Sequence, residues 1–329
     1  MSMKTIIPLL LALSAFWLGG QGPASAQVYP THPITLIVPF AAGGPTDVTS
    51  RIVGEHMSRT LGQQLVIENV PGAGGTVGST RNMRATPDGY TIQMGQMGTH
   101  AGSVALYPNL AYKPDSDFEP IGLVVDQAVV IFGRKDFPPK DLKEFVTYVK
   151  ANADKLNVGH AGVGSISHFT CLMLDSILGV KPTMVPFGGA GPALNAMLGS
   201  QVDYMCDSIS DVVQQIQAGT IKGYAVASPK RNPALPNVPT TIEAGLPEYQ
   251  ATGWYALFAP KGIPVVAQMR LTAALDKALD DEGVRKRLAD LGCDIPEPAR
   301  RGPQALTALV KSEIARWTPV IKAANVKME

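Results

Sequence analysis

Ser165, Ser167 and His168 cluster in "HAGVGSISH" (160–168), with Asp207 and Asp211 further along the chain. Together these types could supply a nucleophile, a base and an orienting carboxylate, as acyl transfer requires. The chain has no GxSxG elbow, however, and a serine and a histidine in one helical turn do not set nucleophile–base geometry. Ser165 with His168 therefore carries only an alternative reading, an exported hydrolase-like cleft enzyme. The leading expectation is that the protein is not an enzyme and that His168 hydrogen-bonds in a cleft or caps a helix. His32, His56 and His100 lack metal-ligand spacing, His160 with His168 has no supporting ligands, and neither metal nor cofactor is expected.

Glycine offers a second chemistry. Four stretches pass from an apolar run through glycines into a helical pattern: "FAAGGPTD" (40–47), "NVPGAGGTVG" (69–78), "HAGVGSISH" and "FGGAGPALN" (187–195). Glycine admits close backbone approach, and a helix's first turn carries unpaired N–H groups and partial positive charge. Such corners can seat a carboxylate without a cationic side chain, with hydroxyls of Thr46, Thr76, Ser165 and Ser167 assisting. Nucleotide binding is disfavoured: residue 77 is valine where GxGxxG needs glycine, and GxxxxGK[ST] is absent. Asp47 is expected to cap the helix after the first corner and hold its shape. Asp207 would either accept hydrogen bonds from a ligand or cap the helix at Ser210. Trp254 and Tyr255 read as core or crossover residues, with lining of the cleft as the alternative.

The elements that must position these corners alternate between strand and helix. Ile34–Val38, Leu65–Ile67 and Tyr90–Met94 read as buried strands separated by helices, giving α/β with a mostly parallel sheet. The middle of the chain repeats the plan, and residues beyond Pro264 are helical in bulk. Crossovers near Val124–Ala128 and Tyr249–Gly253 would make two lobes around a cleft. The expected division is 1–26 as a signal peptide, 27–126 plus 250–329 as a discontinuous first lobe with the C-terminal helices, and 127–249 as the second.

Composition sets the setting. The chain has 329 residues with formal charge +1, 33 glycines and 27 prolines, so no basic footprint for nucleic acid is visible. Lys4, the apolar run Ile6 to Leu18 and Ala24-Ser25-Ala26 make a secretory signal layout with cleavage after Ala26, so the protein is expected to be exported. Three cysteines, Cys171, Cys206 and Cys293, leave one thiol over in a monomer.

Taken in order, "YPTHPITLIVPFAAGGPTDVTSR", "VIENVPGAGGTVGS", "ATPDGYTI", "GTHA", "GSISH", "VPFGGAGPALNAMLGSQVDYMCD", "LPNVPTTIEAGLPEY" and "GWYALFAPKGIP" resemble the Bug-type substrate-binding proteins of tripartite tricarboxylate transporters. The resemblance runs over essentially the whole mature chain. It implies a two-lobed periplasmic binding protein, type II-like, that closes like a Venus flytrap on a small mono- or dicarboxylic acid, aromatic acids included, and passes it to membrane transporter subunits. A monomer is expected, and a ligand-presenting sensor shares the same fold. Carried over by position, the resemblance implies ligand contacts at Phe40, Ala42, Gly43, Gly44, Thr46, Ala73, Gly74, Gly75, Thr76 and Thr99 in the first lobe. In the second lobe it implies Ser165, His168, Gly188, Gly189, Ala190 and Asp207. Ser103, where the family often has asparagine, and Pro45-Thr46, at variable positions, bear on ligand identity.

Overall fold

The computed structural model describes residues 29–323, so the expected leader lies outside the described residues. The strands are β1 (Ile34–Val38), β2 (Leu65–Asn69), β3 (Thr91–Gln96), β4 (Phe118–Arg134), β5 (Asn157–His160), β6 (Thr183–Pro186), β7 (Tyr204–Ser208), β8 (Ile221–Val226), β9 (Thr252–Pro260) and β10 (Cys293–Asp294). The helices are α1 (Pro45–Leu61), α2 (Thr76–Met83), α3 (Ser103–Leu106), α4 (Leu142–Asn152), α5 (Ile166–Leu178), α6 (Ala190–Leu198), α7 (Ile209–Gln217), α8 (Val265–Asp280), α9 (Glu282–Asp290), α10 (Pro298–Arg301) and α11 (Pro303–Ala323).

Strand order runs β2-β1-β3-β9-β4-β7-β5-β6, with β8 and β10 pairing on β4. The chain is a two-lobed α/β protein. β1, β2 and β3 are mutually parallel in one lobe, as are β5, β6 and β7 in the other. The parallel expectation holds for these outer strands, while β4 and β9, which link the lobes, run antiparallel to their neighbours. A strand that returns from one lobe to the other arrives pointing the opposite way. β4 is the long shared element: it pairs with β9 from Phe118 to Ala128, and with β7 and β8 from Val129 onward.

Local sequence explains the helices that matter for the cleft. Pro45 opens α1, where its missing N–H costs nothing. Ile52, Val53, Met57 and Leu61 then bury one face, and Gly62 at φ +73° ends the helix by donating to the Ser58 carbonyl. Ser165 caps α5 by accepting from the His168 N–H, and Asp141 caps α4 the same way through Glu144. Helices α8 and α11 pack over β4, and the indole N–H groups of Trp254 and Trp317 both reach Glu313 Oε2, at 3.3 and 3.1 Å. Trp317 is 1% exposed, and burying a large side chain this fully is worth about 2–3 kcal/mol. The C-terminal helix thereby fastens the crossover strand β9 from outside.

Candidate functional site

The four glycine corners meet where the lobes face one another. A Cβ on Gly189 would lie 3.2 Å from the Ala41 nitrogen, and one on Gly44 would lie 3.9 Å from that of Ala190, so the first and fourth corners abut. A Cβ on Gly74 would fall 1.9 Å from the Val163 carbonyl oxygen, so the second and third corners touch directly. Gly74 and Gly75 hold φ of +62° and +92°, conformations that let the backbone come this close.

Two adjoining cavities result, with Phe40 and Ala161 common to both. The inner one is about 20 Å³, lined by Phe40, Gly44, Pro45, Thr46, Gln96, Ala161, Ser165, Ile166, Ser167, Ala190, Asp207 and Tyr255. That volume holds about one water, so admitting an organic acid requires the walls to part. The outer one is about 280 Å³ and is lined by Gly72, Ala73, Gly74, Gly75, Tyr107, Gly162, Val163, Pro186, Phe187 and Gly188 in addition. Neither lining contains lysine, arginine or histidine. The positive potential comes from backbone: the first residues of α1, α5 and α6 all line the inner cavity, and α7 starts just past Asp207. First-turn N–H groups lack intrahelical acceptors and carry the positive end of the dipole.

Asp47 secures the first corner. It is not the N-cap, which is Gly44, but sits in the first turn and accepts from the Gly43 N–H at 3.0 Å. Arg51 grips both Asp47 oxygens at 2.9 Å, and Asn69 Nδ2 donates to Asp47 Oδ1 and to the Phe40 carbonyl, each at 3.0 Å. Burial works against the Asp47 charge, but the bonds from Arg51, Gly43 and Asn69 outweigh it and hold the carboxyl below its usual range. Arg51 is thus spent on the loop's shape and lines neither cavity.

The second lobe supplies a hydroxyl ladder. Ser167 Oγ accepts from the Ala161 N–H at 2.9 Å and lies 3.1 Å from Ser165 Oγ. The His168 ring does not meet Ser165 Oγ: its Nδ1 accepts from the Gly164 N–H at 3.2 Å, bracing the third corner. Burial lowers His168 to about 3 and His160 to about 4, so both are neutral and poor bases near pH 7. A nucleophile–base pair is therefore missing at the one place the hydrolase reading needs it.

Asp207 stands at the cavity wall, 3% exposed, with Oδ1 accepting from the Ser208 N–H at 2.8 Å and Oδ2 without a partner. Burial pushes its carboxyl up, against the lowering effect of Ser208 and Ser167. The N-cap position of α7 is Ser208, with no side-chain cap bond, and Asp207 bonds the Ser208 N–H instead of capping the helix at Ser210.

Of the other expected residues, Phe40, Gly44, Thr46, Ala73, Gly74, Gly75, Ser165, Gly188, Ala190 and Asp207 line the two cavities. Ala42 is exposed, Gly189 packs on Ala41, and Gly43 lines a third cavity of about 140 Å³ with Pro45, Val48, Ser210 and Asp211. Thr76 donates to the Ala73 carbonyl at 2.9 Å and faces a separate open groove of about 690 Å³ beside α2. Thr99 is fully buried, bonded to the Gln96 carbonyl and to His100 Nδ1. His168 lines neither cavity. Tyr255 lines the inner cavity, as the alternative reading of it allows, while Tyr107 and Gln96 are the residues that sequence reasoning missed; no spacing or composition signal singles those two out.

A family model described as the tripartite tricarboxylate transporter family receptor matches residues 49–326. The "UPF0065 protein in the TAR-I ttuE-ttuC' intergenic region" of Agrobacterium vitis is 41% identical, over 99% of this chain and 92% of its own length. Among solved structures, MatC from Rhodopseudomonas palustris with bound malate is 49% identical, with a TM-score of 0.87 over 89% of this chain and all of its own. The periplasmic binding protein BugD is 43% identical, with a TM-score of 0.88 over 91% of this chain and all of its own.

Proposed function

The chain belongs to the tripartite tricarboxylate transporter receptor family, and from that premise we propose that it captures a small dicarboxylate of the malate type between its lobes and delivers it to a membrane transporter. It is a solute-binding protein of the Bug type and not an enzyme. The observation that carries the proposal is the convergence of three helix starts, those of α1, α5 and α6, on one cavity without a cationic side chain. One carboxylate of the ligand sits on backbone N–H groups of the first two corners, and the distal end meets Ser165, Ala190 and Asp207.

Closure follows from where these donors lie. An open form offers only the first-lobe seat; the bound acid gains second-lobe contacts on closing and shifts the population toward the closed form. The lobes are divided at 126/127 and 249/250, a reading supported by the exchange of β4 partners after Ala128 and by the Val129 N–H to Ala251 carbonyl bond. Export with cleavage after Ala26 and action as a periplasmic monomer complete the proposal. Among the described residues no helix is long and apolar enough to cross a membrane.

A thermal-shift and titration panel of C3–C6 mono- and dicarboxylates tests it. Malate and its close relatives should raise the melting temperature and compact the protein in solution scattering. A panel in which no carboxylate does either would sink the reading.

A further inference from the structure

A doubly charged acid poses a problem for this cleft: its linings hold no lysine or arginine, yet they hold an aspartate. Asp207 Oδ2 is buried, unpartnered and at the inner cavity wall. Four residues on, in the first turn of α7, the Asp211 carboxyl lies near enough to that of Asp207 for the two charges to oppose each other, and its own Oδ2 is likewise buried without a partner. Two buried carboxyls this close with no cation between them cannot both be ionised.

Their surroundings differ. Asp207 faces the inner cavity, whereas Asp211 is only part-buried and lines the third cavity with Gly43, Pro45 and Gln214. The pair thus bridges the two cavities across the start of α7. The groups facing it are few: Ser167 from α5, Tyr255 from β9, and Ser208 between β7 and α7. Thr46 of α1 reaches Tyr255, and Gln96 of β3 faces the same cavity. Tyr255 is the one further titratable group among them, and burial pushes it well up, so it stays neutral.

We propose that a proton held by the Asp207–Asp211 pair, exchanged with solvent on the Asp211 side, lets Asp207 act as a neutral O–H donor to the distal carboxylate of the ligand. Binding of a dicarboxylate is then linked to a proton, while a monocarboxylate seated on the first two corners has no need of one. This rests on the dicarboxylate reading above and adds a specificity determinant to it. Burial raises both carboxyls, that of Asp207 to about 7, so the pair can still hold a proton near neutral pH.

Calorimetric titration of the mature chain with malate, in buffers of differing ionisation enthalpy between about pH 6 and about pH 9, tests it. Malate is already doubly ionised there, so protons taken up belong to the protein. Expected is an affinity that falls about tenfold per pH unit in the alkaline arm, with about one proton taken up per malate. Succinate should behave alike, which separates this effect from a hydrogen bond to the malate hydroxyl. Asp207→Asn, an isosteric permanent donor, should bind malate with no proton uptake and a flat pH profile. PH-independent malate binding without proton uptake by the unmodified protein overturns the proposal and leaves the dicarboxylate reading standing. So does unchanged linkage in a folded Asp207→Asn variant. Absence of binding by every dicarboxylate at every pH removes both. The proton count on the unmodified protein decides the matter even where the variant does not fold.

Discussion

The Tyr107 hydroxyl lies 2.7 Å from the Val163 carbonyl oxygen and 3.0 Å from that of Ala73, one on each side of the cleft. A single O–H proton is shared between two loops, and under the proposed closure, in which those loops separate to admit ligand, Tyr107 is a latch on the closed form. Tyr107→Phe keeps the ring and removes the latch. A hydrogen bond of this kind is worth about 0.5–1.5 kcal/mol net, so malate affinity should weaken about 2- to 10-fold through an open-shifted population. Titration paired with solution scattering checks this; unchanged affinity and unchanged radius of gyration would rule the latch out.

The Asp47 clamp makes a stability prediction with a sign. Asn69→Ala deletes donors to both Asp47 and the Phe40 carbonyl, and should cost about 1–3 kcal/mol in denaturant unfolding. Because bonding holds the Asp47 carboxyl below its unfolded range, its contribution is present above that range and is lost as pH falls through the lowered folded value. The cost of Asn69→Ala should therefore shrink below about pH 4. A cost that stays constant down to acid unfolding would show that Asn69 acts only through Phe40.

How much of this was legible in sequence follows from the kind of signal each part leaves. The four corners were readable because glycine clusters between an apolar run and a helical stripe have few other uses. β9 is legible as the apolar stretch "GWYALFAP", which fills most of its span. β4 reads from sequence only as a crossover, because Pro120, Gly122 and Asp126 interrupt its pattern; its pairing with β9 shifts register between Pro120 and Gly122 and between Leu123 and Val125. Thr76 and Thr99 were expected at the ligand, yet short hydroxyl side chains satisfy nearby carbonyls first, and both do so here. Tyr107 left no signal, since a lone tyrosine after a one-turn helix fits no periodicity, and its role arises only when two distant loops converge. The link between Asp207 and Asp211 was likewise hidden, because the spacing allows contact but burial decides its consequence.

The buried histidines give a second pH prediction. His100 is fully buried, with Nδ1 2.9 Å from Thr99 Oγ1 and its ring stacked 3.9 Å from that of Phe258. Burial lowers it to about 3, so the folded protein resists a proton that the unfolded chain takes up near pH 6.5. Its contribution is full above about pH 6.5 and is lost on acidification until the folded group titrates. The raised carboxyls of Asp175, Asp207 and Asp211 work in the opposite direction over the same range, so the slope of the unmodified protein alone does not isolate it. The difference between it and His100→Asn does. That difference should change by about 1.4 kcal/mol per pH unit below about pH 6.5, with the variant losing less. Parallel stability curves for the two proteins would contradict it.

Gly74 offers the sharpest separation of folding from closure. A Cβ there would sit 1.9 Å from the Val163 carbonyl oxygen across the cleft, and 2.8 Å from its carbon, so alanine cannot coexist with the closed form. The backbone penalty at φ +62° is a separate matter, about 1 kcal/mol for any non-glycine residue. Gly62 supplies the control: its φ is +73°, yet a Cβ there meets nothing within 4 Å. Gly62→Ala and Gly74→Ala should thus lose similar stability in denaturant unfolding, since both carry the same left-handed strain. Only Gly74→Ala should hold the lobes apart, raising the radius of gyration and weakening malate binding by at least about tenfold, because the second-lobe contacts are never completed. If the two variants bound malate equally well, the touching second and third corners would not be part of the ligand-bound form, and closure would have to be drawn around the first and fourth corners alone.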